Sequence, residues 1–524
     1  MFPIPNPSFS HAPTFIKPTR RPSLSSTRFH CCSSTKEAKP INFVTQNTHQ
    51  RQDPGFLIPP LWTVTEIAQA VNGRIVKWGP PGTISTDTRT LEPNQWFFAI
   101  SGKNFDAHDF ISPELSGKGC IGVIGNRVSE NWDKGFVRTS GDSVISLMMI
   151  GSYARSRFNG EVVGVTGSTG KTTTKAMIAL ALGGFGNEVY ESFGNWNNEI
   201  GVALSLIGIP GNARVAVLEM GMASKGEIFE LARMARPSIR VILNVGASHL
   251  ENFGCMEEIA MAKGEILVEA KPGDVCVLNA DDPLVMSLPV PFGVKKVLFG
   301  RNVGCDVRLV ASESMDGGHA VGVVLENNEE RVELRIPSPG LHLALNVCAA
   351  AAVATHLGVP LTQVGHSLSN FSPVHMRSEL EVAINGIKVV NDAYNANPTS
   401  TKAAVDLLKS IECSGKRVAL LGDMLELGPN EINFHEMILN HCCDSQIHLI
   451  GLVGKRYKAA AENLNLIKDK KVVLCHDSES LAEEILKRID CDDVVLVKGS
   501  RGMKMEKVVN SLKEKEFHRY HFGQ

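Results

Sequence analysis

The sequence predicts a multidomain α/β protein built on parallel sheets, and three features carry that expectation. Its 524 residues exceed one ordinary hydrophobic core, and at roughly 150 residues per domain the length suggests about three. Short apolar runs alternate with amphipathic helical patterns in two separate stretches, as strands joined by crossover helices do. Between one such strand and helix lies GVTGSTGKTTT, Gly164 to Thr174, a glycine-bearing turn of the kind that holds phosphates.

The N-terminus is compositionally distinct. Met1 to Lys36 holds no Asp or Glu, while Lys17, Arg20, Arg21 and Arg28 sit among many Ser, Thr and Pro residues. Pro3, Pro5, Pro7 and Pro13 interrupt any apolar core of a secretory signal. Residues 1–56 are therefore expected to be a plastid transit peptide and linker; a merely disordered tail is the alternative.

Residues 57–158 read as a small mixed α/β domain, with a helix in TVTEIAQAVNG and short strands at WFFAI and GVIG. Its segment STDTRTLEP opens on hydroxyls just before an apolar strand, which suits either a ligand site or a capped turn. Residues 159–374 form the expected central domain. EVVGVTG is a buried strand, Gly167 to Gly170 a tight turn and Lys171 the start of a helix, with further strands at RVAVLEM, IRVILNV and DVCVLNA. Residues 375–524 repeat the rhythm in GIKVVND, RVALLGDM, IHLIGLVG, KVVLCHD and DVVLVKGS, with helices such as SLAEEILKRI. Such a doubly wound sheet meets its ligands beyond the carboxyl ends of its strands.

Composition narrows the function. A net charge of −2 gives no basic surface for nucleic acid or an anionic membrane. The smoothest apolar stretch, LNVCAAAAVATHLGV, is broken by Asn346, Thr355 and His356, so no membrane span is expected. Twelve cysteines without a C-x-x-C pair suggest a reducing compartment and no structural zinc.

The chemistry concentrates in the turn. Backbone N–H groups and the positive helix end point at a polyphosphate, Lys171 adds a charge, and the Thr172 hydroxyl suits Mg²⁺. The spacing departs from G-x-x-x-x-G-K-[ST], because Val165 stands where the first glycine belongs. Glu219 ends the strand VLEM, where a carboxylate could complete a magnesium site. His249 follows IRVILNV and Lys263 lies on the next helix; taken alone, the first reads as a satisfied structural histidine and the second as a solvated lysine.

Taken in order, TGSTGKTTT, EMG, ASHLENFG and AKGE resemble the Mur ligase family, ATP-dependent amide-bond-forming enzymes of peptidoglycan synthesis. That family uses a T-G-[TS]-x-G-K-[TS] loop, which this chain follows. STDTRTLEP with FDAHDF, FGNWNNEIG, NDAYNANPTS, LGDMLELG and LVKGSRGMKMEKVV are similar to the branch that adds D-alanyl-D-alanine to UDP-N-acetylmuramoyl-tripeptide. The resemblance implies three domains: a UDP-substrate domain, a central P-loop ATPase domain and a C-terminal Rossmann-like domain. It places ATP on Gly167, Ser168, Thr169, Gly170, Lys171, Thr172 and Thr173, with Asn346, Arg377 and Asp392 holding adenine, phosphate and ribose. Mg²⁺ falls among Thr172, Glu219, His249 and Lys263, the last as a carbamate. Ser85, Thr88 and Arg89 match the uridine segment, Asn195 and Asn198 face the UDP-sugar peptide, and Asn395, Asn397 and Ser400 face the incoming dipeptide.

Two departures stand out. Leu343 occupies the place of a usual Asn in G-x-H-N-x-x-N, so altered nucleotide affinity is expected while Asn346 remains. His375 and Met376 precede Arg377, where a different local turn is expected. A folate polyglutamyl ligase would lack the uridine segment, and the D-N-P-R signature of the member adding the third amino acid is absent. The alternative from another class is a catalytically silent scaffold; loss of Lys171, Glu219 or Lys263 would favour it, and all three are present.

Overall fold

A computed structural model of the chain describes residues 60–102, 105–183, 188–383 and 386–514, so the expected transit segment lies outside the described residues. Three sheets follow one another along the chain, giving the α/β class that the alternating pattern predicts. The first contains β1 (Arg74–Lys77), β2 (Thr83–Ser85), β3 (Gln95–Phe98), β4 (Gly122–Gly125) and β5 (Gly135–Arg138), in the order β1-β5-β4-β3-β2. Only the β1–β5 pairing is antiparallel.

The second sheet has nine strands: β6 (Glu161–Thr166), β7 (Val189–Glu191), β8 (Val215–Glu219), β9 (Ile239–Ile242), β10 (Val275–Asn279), β11 (Lys295–Gly300), β12 (Val307–Met315), β13 (Ala320–Glu326) and β14 (Arg331–Ile336). Their order is β14-β13-β12-β11-β10-β9-β6-β8-β7. From β7 to β12 the pairing is parallel, and β12, β13 and β14 then run antiparallel. The sequence reading does not include this antiparallel extension: β12 and β14 expose alternate residues and so lack the long apolar run of a doubly covered strand. After β6 the chain passes to one side through β7 and β8 and then to the other at β9, so the strand order reverses around the end of β6. Ligands gather at such a reversal.

The third sheet holds β15 (Glu379–Val382), β16 (Lys388–Asp392), β17 (Arg417–Gly422), β18 (Leu449–Val453), β19 (Val472–Cys475) and β20 (Val494–Lys498), ordered β15-β16-β20-β17-β18-β19. It is parallel apart from the edge pair β15–β16.

The cores are not divided as the sheets are. One apolar core runs without interruption from Trp62, Ile67 and Trp96 in the first sheet, through Leu147 and Ile150 of the helix Ser143–Arg157, to Val202, Leu206 and Leu218 on one face of the second. The third sheet has its own cores on its two faces, around Val390 and Leu421 and around Val389 and Val495. No helix among the described residues is long and apolar enough to cross a membrane.

Trp96 shows how tightly the first core is specified. Its ring is fully buried, its Nε1 donates to Pro80 O at 3.0 Å, and a Cβ on Gly122 or Gly135 would lie 2.3 or 2.5 Å from the ring. Both glycines are thus the floor of one indole slot. Trp96→Ala is expected to cost about 3–5 kcal/mol, read as a lower denaturant midpoint for the transition that reports the first two sheets.

Candidate active site

The phosphate loop forms because β6 ends at Thr166 and the helix Lys171–Ala181 begins five residues later, leaving a turn too tight for ordinary residues. Gly170 sits at φ 82°, and a Cβ there would lie 2.6 Å from Asn346 Oδ1. The helix starts without a side-chain cap, so its first N–H groups stay available to an anion. The loop is stitched to the segment after β9. Asn244 accepts from Thr169 N at 2.9 Å and donates to Thr169 O at 3.1 Å, and Ser168 exchanges hydrogen bonds with the Gly246 backbone at 2.8 and 3.0 Å.

Glu219, 1% exposed at the end of β8, is the hub. Its Oε2 accepts from Thr172 Oγ1 at 2.8 Å and its Oε1 from Asn197 Nδ2 at 2.7 Å. Lys171 is partly exposed along its length, but its ammonium donates to Gly167 O at 2.8 Å and lies in the site. Desolvation lowers its pKa, Glu219 opposes that, and Arg377 adds to it. Thr173 is buried one residue further along the helix.

Lys263 is 2% exposed on the helix Met256–Gly264, and among the described residues its ammonium has no ion-pair partner. Desolvation first and the neighbouring Lys171 second hold its pKa well below the ordinary lysine value. His249 adopts φ 56° just after the Asn244 segment, within electrostatic reach of Lys171 and Lys263. Burial lowers its pKa and the two lysines reinforce this, while Glu426 of the third sheet pulls the other way.

From the C-terminal side, Arg377 stacks on Tyr394 with its guanidinium carbon 4.2 Å from the ring centroid. The neighbours of Arg377, Met376 and Ser378, take φ 60° and 49°, so Arg377 lies between two left-handed residues. Asp392, at the end of β16, accepts from Lys498 Nζ at 2.6 Å and from Ser378 N at 3.0 Å. Desolvation lowers the pKa of His342, which feels both Asp392 and Lys498 at the entrance of the alanine-rich helix. Leu343 packs into the core, and Asn346 lies against the phosphate loop.

Lys171, Thr172, Glu219, His249, Lys263, Asn346 and Arg377 are therefore gathered around one loop. Other candidates lie elsewhere or are already engaged. Ser85, Thr88 and Arg89 form a turn at the edge of the first sheet, where Asp87 takes the Arg89 guanidinium at 2.6 Å. Asn195 is exposed, whereas Asn198 caps the helix Glu199–Ile207 by accepting from Gly201 N at 2.9 Å. Asn397 and Ser400 form a capping box on the helix Pro398–Ser410, and Asn395 Oδ1 accepts from Ala396 N at 2.9 Å.

Four residues escaped the sequence reading: Asn197, Asn244, Lys175 and Lys498. Lys175, one turn beyond Lys171 and 2% exposed, donates to Ser192 O and to Gly194 O, the latter at 2.7 Å, and so anchors the loop that carries Asn197. A lysine at that spacing after the loop lysine, on the face that should be apolar, was the available signal.

Two family descriptions match the chain: the Mur ligase middle domain over residues 165–354, and the Mur ligase glutamate ligase domain over residues 376–501. The chain belongs to the Mur ligase family. Relatives match over most of the chain: the UDP-N-acetylmuramoyl-tripeptide–D-alanyl-D-alanine ligase of Bacillus subtilis is 35% identical over 459 residues, which are 86% of this chain and 98% of that protein. Among solved structures, MurF from Acinetobacter baumannii aligns with a TM-score of 0.78 at 28% identity, covering 88% of this chain and all of that one. MurF ligase from Thermotoga maritima in complex with ADP aligns at 0.71 and 29%, over 83% and 97%. As a Mur ligase, the chain uses ATP.

Gly170→Ala tests that turn. The methyl group would combine a left-handed backbone with a clash against Asn346, so the affinity for a fluorescent ATP analogue is expected to fall at least about tenfold, roughly 1.4 kcal/mol, in equilibrium titration.

Proposed function

We propose that this Mur ligase joins D-alanyl-D-alanine to UDP-N-acetylmuramoyl-tripeptide, using ATP and an acyl-phosphate intermediate, in plastids. The observation that carries the reading is the convergence of Lys171, Thr172, Glu219, His249 and Lys263 on one loop in a chain of which 86% matches a ligase of that name.

A carboxylate is a poor acyl donor at neutral pH, so it is first phosphorylated, and the amine of the dipeptide then displaces phosphate. Lys171 and the open helix end neutralise charge on the transferred group. The Thr172 hydroxyl and Glu219 carboxylate, in mutual contact, are hard oxygen donors of the kind Mg²⁺ takes alongside substrate phosphates. Among the described residues no cluster of three or more His, Cys, Asp or Glu side chains assembles. Mg²⁺, when bound, supplies further charge neutralisation. Lys263 fits that site only once modified: an ammonium repels a divalent cation, whereas a carbamate offers it an anionic oxygen. Carbamate formation needs the neutral amine, which the burial of Lys263 and its neighbour Lys171 favour by lowering its pKa. Ser85, Thr88 and Arg89 hold the uridine end, Asn195 lies toward the sugar peptide, and the segment around Asn395 receives the dipeptide. Asn198, Asn397 and Ser400 act at one remove, by fixing the helix starts that present these loops.

Incubating the protein with UDP-muramoyl-tripeptide, D-alanyl-D-alanine, ATP and Mg²⁺ should yield ADP and the pentapeptide product by mass spectrometry; no turnover would favour a silent scaffold. In the same assay Lys263→Ala should lose at least about 90% of kcat with an unchanged circular dichroism spectrum, and a short carboxylic acid should restore part of it. Depleting bicarbonate should slow the wild type. Near-normal turnover of Lys263→Ala would return this lysine to a structural role.

Import rests on the composition of residues 1–36, basic, hydroxyl-rich and free of acidic residues. A fusion of residues 1–50 to a fluorescent reporter is expected to enter plastids, and cytosolic retention would remove this part of the reading.

A further inference from the structure

The segment LGDMLELG contains a side chain that leaves the third sheet for the phosphate site. Its first half is rigidly held. Asp423 accepts from Arg456 N at 3.1 Å and Tyr457 N at 2.9 Å, Met424 N donates to His435 Nε2 at 2.9 Å, and Leu425 N donates to Ser500 Oγ at 2.9 Å. Glu426 then takes φ 65°, a left-handed conformation that a glutamate adopts only at a cost. Its carbonyl accepts from Glu251 N at 3.2 Å, and its carboxylate Oε2 lies 2.5 Å from His249 Nδ1. That approach is an ion-pair contact; its angle is not that of a straight hydrogen bond, so Nδ1 makes no aligned one among the described residues. His249 is itself left-handed at φ 56°. Two strained residues thus face each other across the seam between the second and third sheets, and such strain persists only where the surroundings over-determine it.

The contact constrains the imidazole. An anionic oxygen 2.5 Å from Nδ1, even off the N–H axis, repels a lone pair there and attracts the positive end of an N–H dipole, so the proton belongs on Nδ1 and Nε2 is left as the acceptor atom. The carboxylate also brings a negative charge to a site where Lys171 and Lys263 crowd His249.

We infer that Glu426 is a positioning residue for His249: delivered by the C-terminal lobe, it fixes the Nδ1–H tautomer and ring orientation of a histidine that belongs to the central lobe. The histidine then presents Nε2 correctly only when the lobe carrying the amine-binding segment is docked. This rests on the ligase reading for its kinetic part and on geometry alone for its tautomeric part.

Two variants of the full chain test it, Glu426→Ala and Glu426→Gln, the second keeping an accepting oxygen. Each is examined by ligase kinetics, by thermal midpoint, and by ¹⁵N spectra of histidine-labelled protein without nucleotide or metal, the His249 signals being assigned by their loss in His249→Ala. Glu426→Ala should lower kcat about tenfold while the KM values for ATP and the UDP substrate stay within about twofold, and should shift His249 from the Nδ1–H form to a mixture. Glu426→Gln should keep the Nδ1–H form and recover kcat to within about threefold of wild type. An unchanged tautomer in Glu426→Ala overturns the inference, as does an equal loss of kcat in both variants or a loss that follows a lowered thermal midpoint. A wild type without turnover counts against the ligase reading instead, and the spectra still decide the role of Glu426.

Discussion

One buried carboxylate holds together a site crowded with positive charge. Glu219 is nearly inaccessible, yet it bonds the hydroxyl that follows the loop lysine and the amide of Asn197, and its charge reaches both Lys171 and Lys175. Burying ammonium groups beside one another is costly unless an anion or carbonyl oxygens offset it. Here Glu219 serves Lys171 and two backbone carbonyls serve Lys175, while Lys263 is left with neither among the described residues. The site is thus completed by what arrives, whether nucleotide phosphates or a new acid on Lys263. Asn197 extends the same logic outward, since its loop is fixed by Lys175 at one end and by Glu219 at the other.

Much of the fold was legible because its signals are local. A buried strand, a glycine turn and a helix must be contiguous to cradle a phosphate, so GVTGSTGKTTT announces itself, and Glu219 shows as a carboxylate ending an apolar run. The parallel strands of the third sheet appear as unbroken apolar segments for the same reason. The antiparallel strands β12 to β14 do not, because half their residues face solvent. Asn198 and Asn397 illustrate another limit: an asparagine before a helix is what a ligand site and an N-cap both require, although Ser400 three residues after Asn397 spells a capping box. Asn244, Lys498 and Glu426 find their partners 75, 106 and 177 residues away in the chain, and no local pattern encodes such meetings.

The C-terminal lobe contributes its residues through unusual backbone. Arg377 lies between two left-handed residues, and Glu426 is left-handed itself. In both places a side chain is turned away from the sheet that carries it and toward the central lobe. Lys498 steadies this surface from behind by binding Asp392 and the Asn395 carbonyl together, so that the ends of β16 and β20 act as one platform.

The undivided core linking the first two sheets has a mechanical consequence. A lobe joined to its neighbour through packed tryptophan, leucine and valine side chains cannot swing without opening that core, whereas the third sheet, sealed on both faces by its own residues, can turn as a unit. The span from the first sheet to the phosphate loop is thereby set when the chain folds, as the arm of a caliper is set by its frame.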